Sequence, residues 1–274
     1  MKKITYLLAL LVTGSALAQE NCNLQYDGNG DGAVNVTDVL GVLSEFGEVC
    51  EPVIEYGPCG PDSTVSYHGY DYSLVEIGDQ CWFAENLRTE HYNNGDAIPA
   101  NLSDGEWGST NSGAVAVYGE DAGCNNSSPD GNACDPAWSL NEYGRLYNWY
   151  AVDDERGLCP TGWHVPTDAE WDILGDFLGG VAIGGFKMKS TYGWSNSGNG
   201  NNESGFSGLP GGIRNGNGFF TNAGIYGHWW SSSIDENPGP DPYALLRNLS
   251  FDVPNLGHSS NTLTQGLSIR CIKD

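Results

Sequence analysis

Apolar positions along this chain fall into distinct patterns, and each pattern predicts a different element. From Ile4 to Val12 they dominate a stretch behind Lys2 and Lys3, and Ala16-Leu17-Ala18 follows. This is the pattern of a secretory signal peptide over residues 1–18, too short to span a bilayer, with Gln19 as the first mature residue. Further on, Val36, Val39, Leu40, Leu43 and Phe46 recur at helical spacing, and Gly47 is a natural stop. Tyr70 to Ile77 and Gln80 to Ala84 predict two strands joined by the two-residue hairpin turn Gly78-Asp79. Thr167-Asp168-Ala169-Glu170 is a capping box, with Ile173, Leu174, Phe177 and Leu178 as the buried face of the helix behind it and Gly179-Gly180 as its end. A second helix is predicted around Leu146 to Val152, with Trp149 and Tyr150 as core anchors, and short Gly-punctuated strands follow.

Composition narrows the class. The formal net charge is -24, and loss of Lys2 and Lys3 with the signal peptide makes it -26. A surface this acidic repels phosphate backbones, which argues against nucleic acid as a partner. No later stretch approaches the roughly 20 apolar residues of a membrane helix, and no Cys follows the cleavage site to carry a lipid, so a soluble secreted or cell-surface protein is expected, the periplasm included. With 39 Gly, 9 Trp and 14 Tyr, the length suits one loop-rich domain anchored by aromatics plus a small appendage.

Eight cysteines, at 22, 50, 59, 81, 124, 134, 159 and 271, all lie beyond the signal peptide. Their even number, with no C-x-x-C pair, predicts disulfides and no free thiol. Residues 27–38 have the D-x-[DN]-x-[DN]-G spacing that turns alternate side chains toward one centre. Asp27, Asn29 and Asp31, the carbonyl of Ala33, Asn35 and Asp38 then form the ligand set for one calcium ion, and Gly32 permits the sharp turn. This EF-hand-type loop with its following helix resembles one half of a dockerin. Only one repeat is present, so calcium is expected and a cohesin-like partner is not. Cys22 and Cys50 bracket the module (residues 19–50), and closing that loop contributes on the order of 3 kcal/mol. A turn-rich linker over residues 51–62 follows, and Cys59 and Cys81 could pair across the start of the main domain, residues 63–274.

Several segments of that domain carry a family resemblance in their order. They are Val75 to Leu87 (VEIGDQCWFAENL), Tyr143 to Val152 (YGRLYNWYAV), Gly157 to Trp171 (GLCPTGWHVPTDAEW), Ser204 to Arg214 (SGFSGLPGGIR), Trp229 to Ser233 (WWSSS) and Ser268 to Cys271 (SIRC). The chain thereby resembles the Fibrobacter succinogenes major paralogous domain, which is similar in turn to formylglycine-generating enzymes and the C-type lectin fold. The resemblance implies an α+β, C-type lectin-like domain with two helices, a twisted antiparallel sheet, long loops, and first and last strands that meet. It makes Cys159 the partner of Cys271 and leaves Cys124 and Cys134 to staple a loop.

The reactive cysteine pair of formylglycine-generating enzymes has no local counterpart, and the five His residues, at 68, 91, 164, 228 and 258, lack metal-ligand spacing. A non-catalytic protein is expected. The lectin analogy places ligand contacts on Tyr192 to Gly205 and Ile234 to Tyr243, with Trp194 as an exposed platform. Trp229 and Trp230 could stack on a ligand or fill the core, and Arg214 could hold a carboxylate ligand or a structural ion pair. The resulting expectation is a calcium-binding, disulfide-stabilised module that takes a carbohydrate or protein ligand. A surface or matrix protein without a discrete ligand is the alternative, and a polysaccharide-active hydrolase is a more distant one.

Overall fold

The alternating segment from Tyr70 folds as the hairpin its pattern predicts. In the computed structural model, which describes residues 56–120, 123–236 and 242–274, β2 (Tyr70–Ile77) pairs with β3 (Gln80–Phe83) in the register Ile77↔Gln80. Gly78 turns the chain at φ 63°. The chain divides between Glu55 and Tyr56, and all described residues belong to the second unit. The calcium loop (residues 27–38) and the Cys22 and Cys50 pair lie outside the described residues.

β1 (Thr64–Tyr67) adds to one side of the hairpin. On the other side, β13 (Ile272–Lys273) pairs with β3 through Ile272↔Trp82, and β7 (Trp163–His164) pairs with β13. The order is β1-β2-β3-β13-β7. An antiparallel sheet is formed by β10 (Tyr226–Ile234), β11 (Tyr243–Ser250) and β12 (Gly257–Thr262), with an irregularity between Trp230 and Ile234. β4 (Val115–Ala116) pairs with β6 (Leu146–Tyr147). β5 (Cys124–Asn126), β9 (Phe220–Ala223) and β8 (Gly211–Arg214) form a sheet in which the β5 and β9 pair is parallel.

The helices correct the expected two-helix, lectin-like architecture. Five α-helices occur among the described residues: α1 (Asp104–Ser109), α2 (Pro136–Tyr143), α3 (Trp149–Val152), α4 (Asp168–Phe177) and α5 (Val181–Met188). The strands lie in several sheets rather than one. Local chemistry accounts for the added helices. Ser103 and Glu106 form a capping box on α1, and Asp135 caps α2, whose first residue is the well-suited Pro136. The helix predicted around Leu146 to Val152 is strand at Leu146 and Tyr147, and only Trp149–Val152 is helical, capped by Asn148.

Aromatic side chains fill the interior. Trp82, Trp107, Trp171, Trp194, Trp229 and Trp230 are among the largest fully buried residues, and each contributes about 2–3 kcal/mol through removal of apolar surface from water. Trp82 and Trp171 pack with ring centroids 4.8 Å apart, which joins the five-stranded sheet to α4. The buried arc of α4 is Trp171, Leu174, Gly175 and Leu178, at i, i+3, i+4 and i+7. Ile173 and Phe177, expected inside, lie off that arc and are 55% and 63% exposed. Together with Val181, Ile183 and Phe186 they leave an apolar surface on α4 and α5.

Three disulfides are present among the described residues, joining Cys59 to Cys81, Cys124 to Cys134 and Cys159 to Cys271.

A polar clasp ties β7, α4 and Asp274 together. His164 Nδ1 lies 2.7 Å from Asp274 Oδ1, and Nε2 lies 2.9 Å from Glu170 Oε1. Glu170 also accepts from the Thr167 backbone N–H at 2.7 Å, closing the capping box. Burial alone would lower the His164 pKa, but the bonds to Asp274 and Glu170 outweigh it and raise the pKa. For Glu170 burial raises the pKa, and the Thr167 and His164 bonds bring it below its ordinary value. The histidine contribution is therefore complete below its unfolded pKa and fades as pH rises through the folded one. The Glu170 contribution is complete above its unfolded pKa and fades as pH falls through the folded one. The clasp is strongest between roughly pH 5 and 6, and half-exposure limits it to less than about 1 kcal/mol. Thermal unfolding from pH 6 upward should show the wild-type midpoint declining more steeply than that of His164→Gln. Equal slopes would place the pH dependence elsewhere.

Candidate functional site

The four side chains expected to meet a ligand are all interior. Trp194 is 2% exposed, and its indole N–H donates to Ser190 Oγ and the Gly208 carbonyl, both at 3.1 Å. It is a core residue, not a platform. The Trp229 N–H donates to Asn86 Oδ1 and the Trp230 N–H to the Tyr147 carbonyl, both at 2.9 Å, and neither ring reaches the surface. Arg214 is buried between the rings of Trp107 and Phe220. Its guanidinium donates to Glu120 at 2.9 Å and to the Leu102 carbonyl at 2.6 Å, with Asp104 at 3.7 Å. Of the two readings open for Arg214, the structure places it in an ion pair.

A cleft of about 410 Å³ opens elsewhere, where the chain leaving β3 passes the end of α2. Its walls bring together Glu85, Asn86 and Arg88, the α2 residues Asn141 and Glu142, and Tyr192, Ser207 and Arg270. Asn86 is the joint of this arrangement. Its amide donates to the Tyr143 carbonyl at 2.9 Å and to Ser268 Oγ at 3.3 Å, while Oδ1 accepts from Trp229 and, at 2.7 Å, from Arg270 Nε. The buried amide thereby orients a guanidinium from the far end of the domain. Arg270 Nη1 donates to the carbonyls of Phe83 at 2.9 Å and Phe206 at 2.7 Å, and Nη2 to that of Ser207 at 3.3 Å.

Arg88 forms the adjoining wall. It lies over the Tyr70 ring, with 4.4 Å from its guanidinium carbon to the centroid, and Nη1 donates to the last carbonyls of α2, Leu140 at 2.9 Å and Asn141 at 2.8 Å. A cation at a helix C-terminus complements the orphan carbonyls there. Glu85 accepts from the Tyr70 hydroxyl, from the Ser73 N–H at 3.3 Å and from Arg88 at 3.4 Å. Tyr192 stands at the rim with 49% of its surface exposed. Burial of its hydroxyl end and the nearby Glu142 carboxylate push the phenol up to about 12, so it remains a neutral donor at any physiological pH. The cleft thus presents amides, hydroxyls, carboxylates, guanidinium and one accessible aromatic face, a set that suits a polar, ring-shaped ligand.

Sequence reasoning passed over most of these residues. Asn86 and Arg270 lie inside segments that carry the family resemblance, Val75 to Leu87 and Ser268 to Cys271, where they serve as fold markers. Tyr192 begins a loop expected to bind, in which Trp194 was the expected platform. Groups of three or more His, Cys, Asp or Glu side chains fit to hold a metal are absent among the described residues. No described helix is long and apolar enough to cross a membrane.

The family model described as the Fibrobacter succinogenes major domain matches residues 75–273, a span that contains most of the cleft. No curated protein and no solved structure matches the chain.

Proposed function

Because the chain belongs to the Fibrobacter succinogenes major domain family, we propose that it is an exported, disulfide-stabilised, non-catalytic module that binds a saccharide in the cleft beside Arg270. The observation carrying this reading is the cleft itself. Polar groups held in fixed positions by buried partners converge there beneath one exposed aromatic ring, Tyr192. Sugar rings offer hydroxyls to such groups and an apolar face to such a ring. Export is supported by the amino-terminal sequence pattern and by the three disulfides. Calcium binding by Asp27, Asn29, Asp31, Ala33, Asn35 and Asp38 is supported by their spacing alone.

Calorimetry of the full oxidised chain against soluble oligosaccharides, with and without calcium, tests both parts. Saturable saccharide binding that weakens about tenfold in Tyr192→Ala, the loss of the one exposed aromatic contact, is the expected result. Binding unaffected by this substitution would remove the cleft as the site. No saccharide binding at all would favour a surface protein without a discrete ligand.

A further inference from the structure

Three arginines, Arg214, Arg247 and Arg270, are completely buried among the described residues, and they are not alike. Arg214 faces Glu120 at 2.9 Å and Asp104 at 3.7 Å, and Arg247 faces Asp168 at 2.8 Å and Asp172 at 2.5 Å. Each has two carboxylates to offset its charge. Arg270 is 1% exposed, yet its hydrogen bonds go only to neutral oxygens: the Asn86 amide and the carbonyls of Phe83, Phe206 and Ser207. A guanidinium taken out of water with no carboxylate in contact is costly. Burial draws its pKa down to about 9, against a partial counter-charge from Glu85 that does not touch it and with Arg88 adding to the lowering. The carboxylates sharing its cleft are otherwise engaged, Glu85 with Tyr70 and Arg88, and Glu142 beside Tyr192. Of the three, Arg270 is also the one that lines the cleft.

We infer that the cleft selects an anionic saccharide, a sugar acid whose carboxylate supplies the directly contacting counter-ion that Arg270 lacks while its ring lies against Tyr192. This rests on the saccharide-binding reading above and adds the charge of the ligand. The guanidinium is already oriented by four hydrogen bonds, so little ordering is required when the carboxylate arrives. The rest of the molecule works against any anion: with a net charge of -24, its long-range field repels one. Preference for an acidic sugar therefore has to arise locally, and salt distinguishes the two effects. Screening acts on distant surface charges and hardly on a buried contact, so added salt should leave acidic-sugar affinity unchanged or raise it.

The test compares digalacturonate with its neutral counterpart, digalactose, on the full oxidised chain by calorimetry, at about 20 and about 200 mM salt, spanning strong and weak long-range fields. The expected result is a preference of about tenfold or more for digalacturonate, undiminished at the higher salt. Ser207→Asp supplies a second arm. Ser207 contributes a carbonyl to Arg270, lines the cleft and sits at φ 53°, a conformation Asp tolerates. An internal carboxylate there should raise the unfolding midpoint and abolish the preference. Equal binding of the two sugars, or an acidic preference that salt erases, overturns this inference and leaves the saccharide reading standing. Binding of neither overturns both.

Discussion

Replacing Cys159 and Cys271 together by alanine should lower the unfolding midpoint of the domain by about 10–20 °C. The bridge spans 112 residues, and in the chain-entropy description closing so long a loop restricts the unfolded chain by about 5 kcal/mol. For a domain of this size each kcal/mol moves the midpoint by about 2–4 °C. Both residues are buried, at 5% and 0% exposure, so loss of packing adds to the effect. The Cys124 and Cys134 bridge, with a separation of 10, restricts the unfolded chain by only about 3 kcal/mol and lies nearer the surface. Calorimetric scans of the two double variants should rank them in that order. The reverse order would show that native-state effects, not loop closure, decide what each bridge contributes.

Arg214→Met should cost about 3–5 kcal/mol in denaturant unfolding, because it takes the cation away from the largely buried Glu120 and, at 3.7 Å, from the more exposed Asp104. The side chain also fills the space between Trp107 and Phe220, and methionine recovers part of that packing. Adding Glu120→Gln to Arg214→Met removes one of the stranded charges, so the double variant should be more stable than the sum of the single losses implies. Strict additivity would show that Arg214 acts through packing alone.

How much of this was legible in the sequence depends on whether local chemistry or distant packing decides the outcome. The β2 and β3 hairpin and the capped start of α4 follow from alternation, Gly78 and the Thr167 capping box, all signals confined to a few neighbours. The Ser103 to Glu106 box and Asp135-Pro136 are equally local signals for α1 and α2, set among glycines and asparagines that dilute them. Helix α5 is different. Its sequence VAIGGFKM has no side-chain cap and two central glycines, and an added Cβ at Gly185 would come 2.2 Å from the Asn255 carbonyl oxygen. That helix exists because residues 254 and 255 pack against it, which no local window reveals.

The cleft was the least legible part, for the same reason. Arg270 and Asn86 are 184 residues apart, and that one buried arginine would hydrogen-bond no carboxylate is a property of the assembled interior. The tryptophans misled in the opposite direction. A large aromatic in a glycine-rich segment suits a ligand platform or a core anchor equally, and the partners of Trp194, Trp229 and Trp230 come from other parts of the fold.

The meeting of β3 with β13 also sets a timetable for oxidation. Cys59 and Cys81 lie 22 residues apart and Cys124 and Cys134 10 apart, so each pair can collide while most of the chain is still unfolded. Cys159 reaches Cys271 only once the strands around Ile272 have found Trp82 and His164, a high-contact-order event that comes late. Of the three bridges among the described residues, the one that restrains the unfolded chain most is therefore the last to form. Until then the central sheet stands open at β3, its unpaired edge exposed to any strand that reaches it first.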